Sequence, residues 1–305
     1  MSFEQQERAL FDLLFDSELR DRFCEDQLKA LTDYDLDQAE QDDFKAIRPE
    51  ALKLDAAMRA DLLLSQLCKS FPLSFSITSS LNEGLLVLKQ LIDTKTMHTP
   101  AIERATMIGN RLREQYASFS FTSEKEQAIA TAILEAELGM TWTSATLKRE
   151  VLDNGPLPET QANLDENSLQ KPIKLASFVS ASIIPQSYGQ LKNKLCTVDD
   201  DCLWRQLNKI PLSVSVRTRI LHTEDPRLLV ARAHVSRISK CEPAADFKTV
   251  ELSEGFAPLF QHVNGSMSVA QILAQLKQIG AQEQMLQSIQ AAFQQLLDSG
   301  MLEFA

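Results

Sequence analysis

The side chains able to do chemistry are few and scattered. The four histidines are His98, His222, His234 and His262, and no two stand four apart, the spacing that sets two imidazoles on one helix face for a metal. The five cysteines, Cys24, Cys68, Cys196, Cys202 and Cys241, are odd in number and spread along the chain, which is not a disulfide framework. Cys196 and Cys202 stand wider apart than zinc-site cysteine pairs do, with no histidine nearby. Glu124, Glu126, Glu135 and Glu137 could suggest a carboxylate pair, but their spacing also fits the wet side of an amphipathic helix, and that is the expectation. Nine glycines in 305 residues include no phosphate loop and no nucleophile elbow. The one patterned chemical signal is cationic. Arg217, Arg219, Arg227, Arg232, Arg237 and Lys240 stand against only Glu224 and Asp225. Guanidinium groups on a strand suit either a solvated face or the carboxylates of an acidic peptide. The reading is therefore recognition, with no catalytic residue and no metal ligand in this chain.

The composition agrees with a folded, soluble protein. It is 44% hydrophobic and 24% charged, with net charge −11. An acidic chain repels a phosphate backbone at long range, which argues against nucleic acid as the main partner. The charge is uneven: from Arg205 onward there are 10 basic and 9 acidic residues, so the acidity lies upstream. No apolar run approaches the roughly 20 residues that span a bilayer. Met1 to Gln6 is polar and is not a signal peptide, so the expected location is cytoplasmic, with no membrane partner.

The elements that must position these groups fall into two textures. Residues 1–24 have a broad apolar helical face, and 25–48 suggest short helices. Pro49 opens a helix to about 70, another is expected over 74–93, and Pro100 opens a third, reaching Tyr116. Ser123 with Glu126 has the form of a capping box, and apolar spacing continues from Ile129 to Leu147. This predicts an all-helical domain over 1–152. Residues 153–204, with Pro156, Pro158 and Pro172, are expected to be a linker and connecting segment. Over 205–305 the period changes. Leu212 to Leu221 alternates and predicts a half-buried strand, followed by a turn over 222–226, a strand over 228–238 and a strand over 248–252. Then come a helix from Phe256 to Val263 stopped at Asn264-Gly265, a helix capped by Ser266 or Ser268 and ended by Gly280, a helix bearing Leu286, Ile289, Phe293, Leu296 and Leu297, and a last strand after Ser299-Gly300. The expected fold class is α+β, with a helical domain followed by a winged-helix-like domain of a three-stranded antiparallel sheet and three helices over 205–305. A winged helix either docks on DNA or offers a sheet edge to a peptide. Residues 269–299 carry one basic side chain, Lys277, a poor endowment for a DNA-reading helix.

Several stretches of this C-terminal segment resemble the PqqD-like peptide-recognition domain of ribosomal-peptide maturation systems. They are Val250-Glu251-Leu252, Val263-Asn264-Gly265, Ser268-Val269 with Ile272-Leu273 and Leu276, and Phe293 with Leu296-Leu297 and Gly300-Met301-Leu302. The N-terminal half resembles the helical partner subunits of multinuclear iron oxidative enzymes. There the carriers are Phe71-Pro72-Leu73, the run Thr99 to Ala105, and Ile129-Ala130 with Ile133-Leu134-Glu135-Ala136. Such subunits accompany a TIM-barrel metalloenzyme in methanobactin and 3-thiaglutamate maturation, and the second is the nearer resemblance. Residues 173–211 have no counterpart in that pattern.

The resemblance implies a non-catalytic subunit that binds the leader of a precursor peptide and an iron-dependent TIM-barrel enzyme as a heterodimer. Iron would reside in the partner, with no cofactor in this chain. By the same resemblance the enzyme would remove the β-carbon of a C-terminal cysteine. The leader would add as a strand along Lys248, Thr249, Val250, Glu251 and Leu252. Ile289 and Phe293 would line the groove, and Arg217, Arg219 or Arg232 would meet acidic leader residues. A proline at Val250 is expected to obstruct that pairing. The rival reading is a winged-helix DNA-binding regulator.

Overall fold

Caps and prolines cut the first part of the chain into short helices. In the computed structural model, which describes residues 3–155, 168–222, 225–237 and 243–305, these are α1 (Phe3–Phe15), α2 (Ser17–Glu25), α3 (Gln27–Ala30) and α4 (Gln38–Ala46). Asp16, Asp26 and Asp37 accept backbone N–H groups at the starts of α2, α3 and α4, and Asp37 with Glu40 closes a full capping box. Then follow α5 (Pro49–Ser70), α6 (Pro72–Ser79), α7 (Gly84–Gln90), α8 (Thr94–His98) and α9 (Ala101–Tyr116). The single helix expected over 74–93 is broken. α6 ends at Ser79, and Glu83 takes a left-handed φ of 58° before Gly84 opens α7.

The chain forms two compact units, each discontinuous in sequence: Met1–Ser120 with Cys196–Val214, and Phe121–Leu195 with Ser215–Ala305. These do not follow the boundaries at 152 and 204 suggested by composition. α12 (Asp200–Lys209) belongs to the helical unit, where it packs on α5 and α6 and Trp204 Nε1 donates to Asp61 at 3.1 Å. The other unit holds α10 (Glu124–Asn154), β1 (Pro172–Leu175), β2 (Val179–Ile184), α11 (Tyr188–Leu195), α13 (Val214–Leu221, from Ser215), β3 (Arg227–Arg237) and β4 (Ala244–Ser253). A 3-10 helix (Glu254–His262), β5 (Asn264–Ser268), α14 (Val269–Gln278), α15 (Glu283–Asp298) and β6 (Leu302–Phe304) complete it.

The second unit is a mixed helix-and-sheet structure with two three-stranded antiparallel sheets, ordered β5-β1-β6 and β2-β3-β4. The strand expected over 212–221 is a correction: this segment is helix α13. Its buried residues are Arg217, Ile220 and Leu221, at i, i+3 and i+4, so tertiary burial selects helix over the apparent alternation. The third strand of the larger sheet is instead β2, inside the stretch expected to be connecting chain. Residues 156–167, with Pro156 and Pro158, lie outside the described residues, as do Thr223, Glu224 and the segment from Ile238 to Glu242 that holds Lys240 and Cys241. From Phe256 onward the expected order holds, with two changes. The helix over Phe256 to Val263 is 3-10, and Asn264-Gly265 continues into β5. Ser268 caps α14 with Gln271 in a reciprocal box, and Gly280 and Gly300 take positive φ after α14 and α15.

Gly84 leaves no room for a side chain. A Cβ there would lie 1.8 Å from the Thr78 carbonyl oxygen, which is backbone and has little room to yield. Gly84→Ala should therefore lower unfolding stability by about 1–3 kcal/mol or more. A urea midpoint unchanged from the parent chain would contradict this close approach.

Candidate functional site

The larger sheet has two working faces. On one, Leu228 opposes Leu252 and Val230 opposes Val250, and all four join the core with Phe256, Ile272, Ile289, Phe293 and Leu296. On the other, Leu229, Ala231, Ala233 and Phe247 pack against Ala136, Met140, Leu147 and Val151 of α10. A Cβ at Gly139 of α10 would touch Ser180 and Ser182 of β2, which places those serines on the α10 face. The strand pattern follows: a sheet covered on both faces loses the plain apolar/polar alternation of a half-wet strand.

Among the described residues, β4 has β3 on one side and no strand on the other. Which of its backbone groups face outward can be deduced. Ala233 N–H donates to Phe178 O at 2.9 Å, toward the β2 side. In an antiparallel ladder successive residues aim their backbone groups to alternate sides. Odd-numbered residues of β3 therefore bond toward β2, and Val230 and Arg232 bond toward their partners Val250 and Lys248. Lys248, Val250 and Leu252 thus have their N–H and C=O engaged with β3. Phe247, Thr249 and Glu251 present theirs at the open edge. Asp246, Lys248 and Thr249 have exposed side chains there, and α15 packs beside β4.

The expected site residues meet different fates. Lys248, Thr249, Val250, Glu251 and Leu252 do lie together on the edge strand. Glu251 also has an internal role: its Oε1 accepts the Gly189 N–H at 3.0 Å, at the start of α11. Arg232 lies on β3, half-buried and directly opposite Lys248. Phe293 has no exposed surface and Ile289 is 4% exposed. Both are core residues that hold α15 in place, with Phe293 edge-on to Phe256 at 5.5 Å, and they do not line a groove. Arg219 is exposed on helix α13 and belongs to no strand.

Arg217 is the clearest correction. It is 2% exposed, and its Nε donates to Glu126 Oε1 at 2.7 Å. Thr122 N–H donates to Glu126 Oε2 at 2.8 Å, and the Thr218 hydroxyl lies 3.4 Å from Oε1. Half of the expected capping box is present: Ser123 Oγ accepts the Glu126 N–H, while the Glu126 carboxylate turns to Thr122 and Arg217. Burial pushes the Glu126 carboxyl up, but the Arg217 and Thr122 hydrogen bonds and the guanidinium charge outweigh it, holding it below the ordinary range. Glu137 is fully buried too, with the Tyr188 hydroxyl donating to it at 3.1 Å. Glu124 and Glu135 are wet as expected, and Glu126 and Glu137 are not. A spacing argument could not separate them, since their partners are about 50 and 90 residues away.

In the helical unit, α5 carries Leu54, Met58 and Leu62 four apart on one face, at 62%, 64% and 62% exposure. Large side chains aligned like this mark an interaction surface more often than scattered single ones do. His98 packs against Phe11 with the rings tilted by 38° and their centroids 4.7 Å apart. Among the described residues no group of three or more His, Cys, Asp or Glu is arranged to hold a metal, and no helix is long and apolar enough to cross a membrane. No protein-family model, curated protein or solved structure matches the chain.

Thr249→Pro removes an outward N–H and should leave the unfolding midpoint close to the parent value, as edge strands tolerate proline. Val250→Pro breaks a bond to β3 and should destabilise the unit strongly, so it is the wrong probe of the edge. Equal losses would refute the deduced parity. Glu126→Gln or Arg217→Met, each stranding its partner, should cost about 3–5 kcal/mol, measured by chemical denaturation. Because the folded Glu126 value is depressed, the pair's contribution is fully present above about pH 4.5 and is lost as pH falls through the lower folded value. Arg217→Met should therefore lose less stability relative to the parent as the pH is lowered; a constant deficit would contradict the linkage.

Proposed function

We propose that this chain is a non-catalytic partner subunit in the maturation of a ribosomally made peptide. In this reading the open edge of β4 holds the leader of a precursor peptide as an added strand. The helical unit docks on an iron-dependent TIM-barrel oxidative enzyme, which carries the iron and does the chemistry. The observation that carries the reading is the β4 edge itself: Phe247, Thr249 and Glu251 turn their backbone groups outward, and α15 flanks the strand. An extended peptide meets such an edge with main-chain hydrogen bonds, and neighbouring side chains set its register. Helices α11, α12 and α13 intervene between β2 and β3, and β5 precedes α14; with these set aside, the sequence β2, β3, β4, 3-10 helix, α14, α15 supports our reading of the unit as winged-helix-like. The exposed Leu54, Met58 and Leu62 stripe supports docking through the helical unit. By the same resemblance the reaction served is β-carbon removal from a C-terminal cysteine, as in 3-thiaglutamate formation.

The test is co-purification. The tagged chain is expressed with its genomic neighbours, and the eluate is assayed for iron and for bound peptide. Iron should arrive with a second protein and be absent from the chain purified alone. A lone, metal-free chain that retards DNA at physiological salt would replace this reading with the regulator. Met58→Glu with Leu62→Glu should abolish recovery of the second protein while leaving the melting temperature within a few degrees. Full recovery would remove α5 from the interface.

A further inference from the structure

The proposed leader edge also specifies which side chains it accepts. In antiparallel pairs, directly opposed residues share a face, and those whose backbones do not bond to each other bring their side chains closest. A strand added antiparallel to β4 would bond with Phe247, Thr249 and Glu251. It would therefore set its side chains closest against Asp246, Lys248, Val250 and Leu252. On that face the inner neighbours are already fixed: Leu228 behind Leu252, Val230 behind Val250, Arg232 behind Lys248, and His234 behind Asp246. Lys248 thus has the half-buried Arg232 as its cross-strand neighbour. Among the described residues, neither Lys248 nor Asp246 has an ion-pair partner, and both side chains are exposed. In a chain with net charge −11, an exposed lysine with no ion-pair partner beside an open edge is the complement of a ligand carboxylate.

We infer that the edge selects an extended peptide carrying an acidic residue opposite Lys248, apolar residues two and four positions before it, and a basic or neutral residue two positions after it. The apolar positions fall beside Val250 and Leu252, on the face that α15 covers. The later position falls beside Asp246. This rests on the β4-edge reading above, and adds to it the chemistry of the ligand.

The experiment pans a phage-displayed random decapeptide library against the full chain, against Lys248→Glu and against Thr249→Pro. The best peptide from the parent is then synthesised and its affinity measured by fluorescence anisotropy. Parent selections should carry the apolar-x-apolar-x-acidic spacing. Lys248→Glu should weaken the acidic peptide about five- to ten-fold, and replacing the peptide's acid by lysine should restore binding to that variant. Thr249→Pro should enrich nothing. Peptides that depend on Thr249 but are indifferent to the charge at Lys248 would overturn this inference and leave the edge reading standing. No enrichment, or enrichment that survives Thr249→Pro, would overturn both.

Discussion

The second unit depends on one ladder, that of β3 against β4. Its register holds without a slip from Arg227 to Val235, and only then is interrupted by a bulge. That unbroken run decides three things together. It puts Val230 and Val250 into the core beneath α15, and Ala233 and Phe247 onto α10. It also determines which backbone groups remain for an outside strand. A one-residue slip would exchange the two faces and put Thr249 or Glu251 where Val250 now packs. The core and the edge are therefore not separable features, because the same pairing that buries one exposes the other.

Much of this unit was legible residue by residue. Ser268, Gly280 and Gly300 are terminators with a local mechanism, and the apolar spacing of α15 is long enough to be unambiguous. The same is true of Pro49 opening α5 and of the short acidic helices before it. What failed was short and decided at a distance. Leu212 to Leu221 has a period that suits a strand, yet Arg217 needs Glu126, and only a helix puts Arg217, Ile220 and Leu221 on one buried face. β2 was hidden for the opposite reason. Val-Ser-Ala-Ser-Ile-Ile offers little contrast, because its serines lie against α10 at a glycine.

The candidate site was half legible. The edge strand could be located from its alternation, but not which of its backbone groups point outward, since that depends on the partner strand. Ile289 and Phe293 illustrate a general ambiguity. An apolar helix face beside a sheet looks the same in sequence whether it lines a groove or fills a core, and here it fills the core. The buried carboxylates show the converse. Glu126 and Glu137 read as wet residues on a long helix, and each is enclosed with a partner from far along the chain.

The interleaving of the two units bears on how the chain is made. The helical unit is specified mostly by the first 120 residues, but Trp204 and the rest of α12 are needed to bond Asp61 and cover α5 and α6. During synthesis those residues leave the ribosome only after α10, β1 and β2 have emerged. Neither unit can be completed before the other has begun, so this chain does not mature domain by domain in the order of translation. For the same reason no single cut of the chain separates the two units whole, and a free-standing peptide-binding unit would require excising 196–214 and joining the ends of α11 and α13 by a new loop.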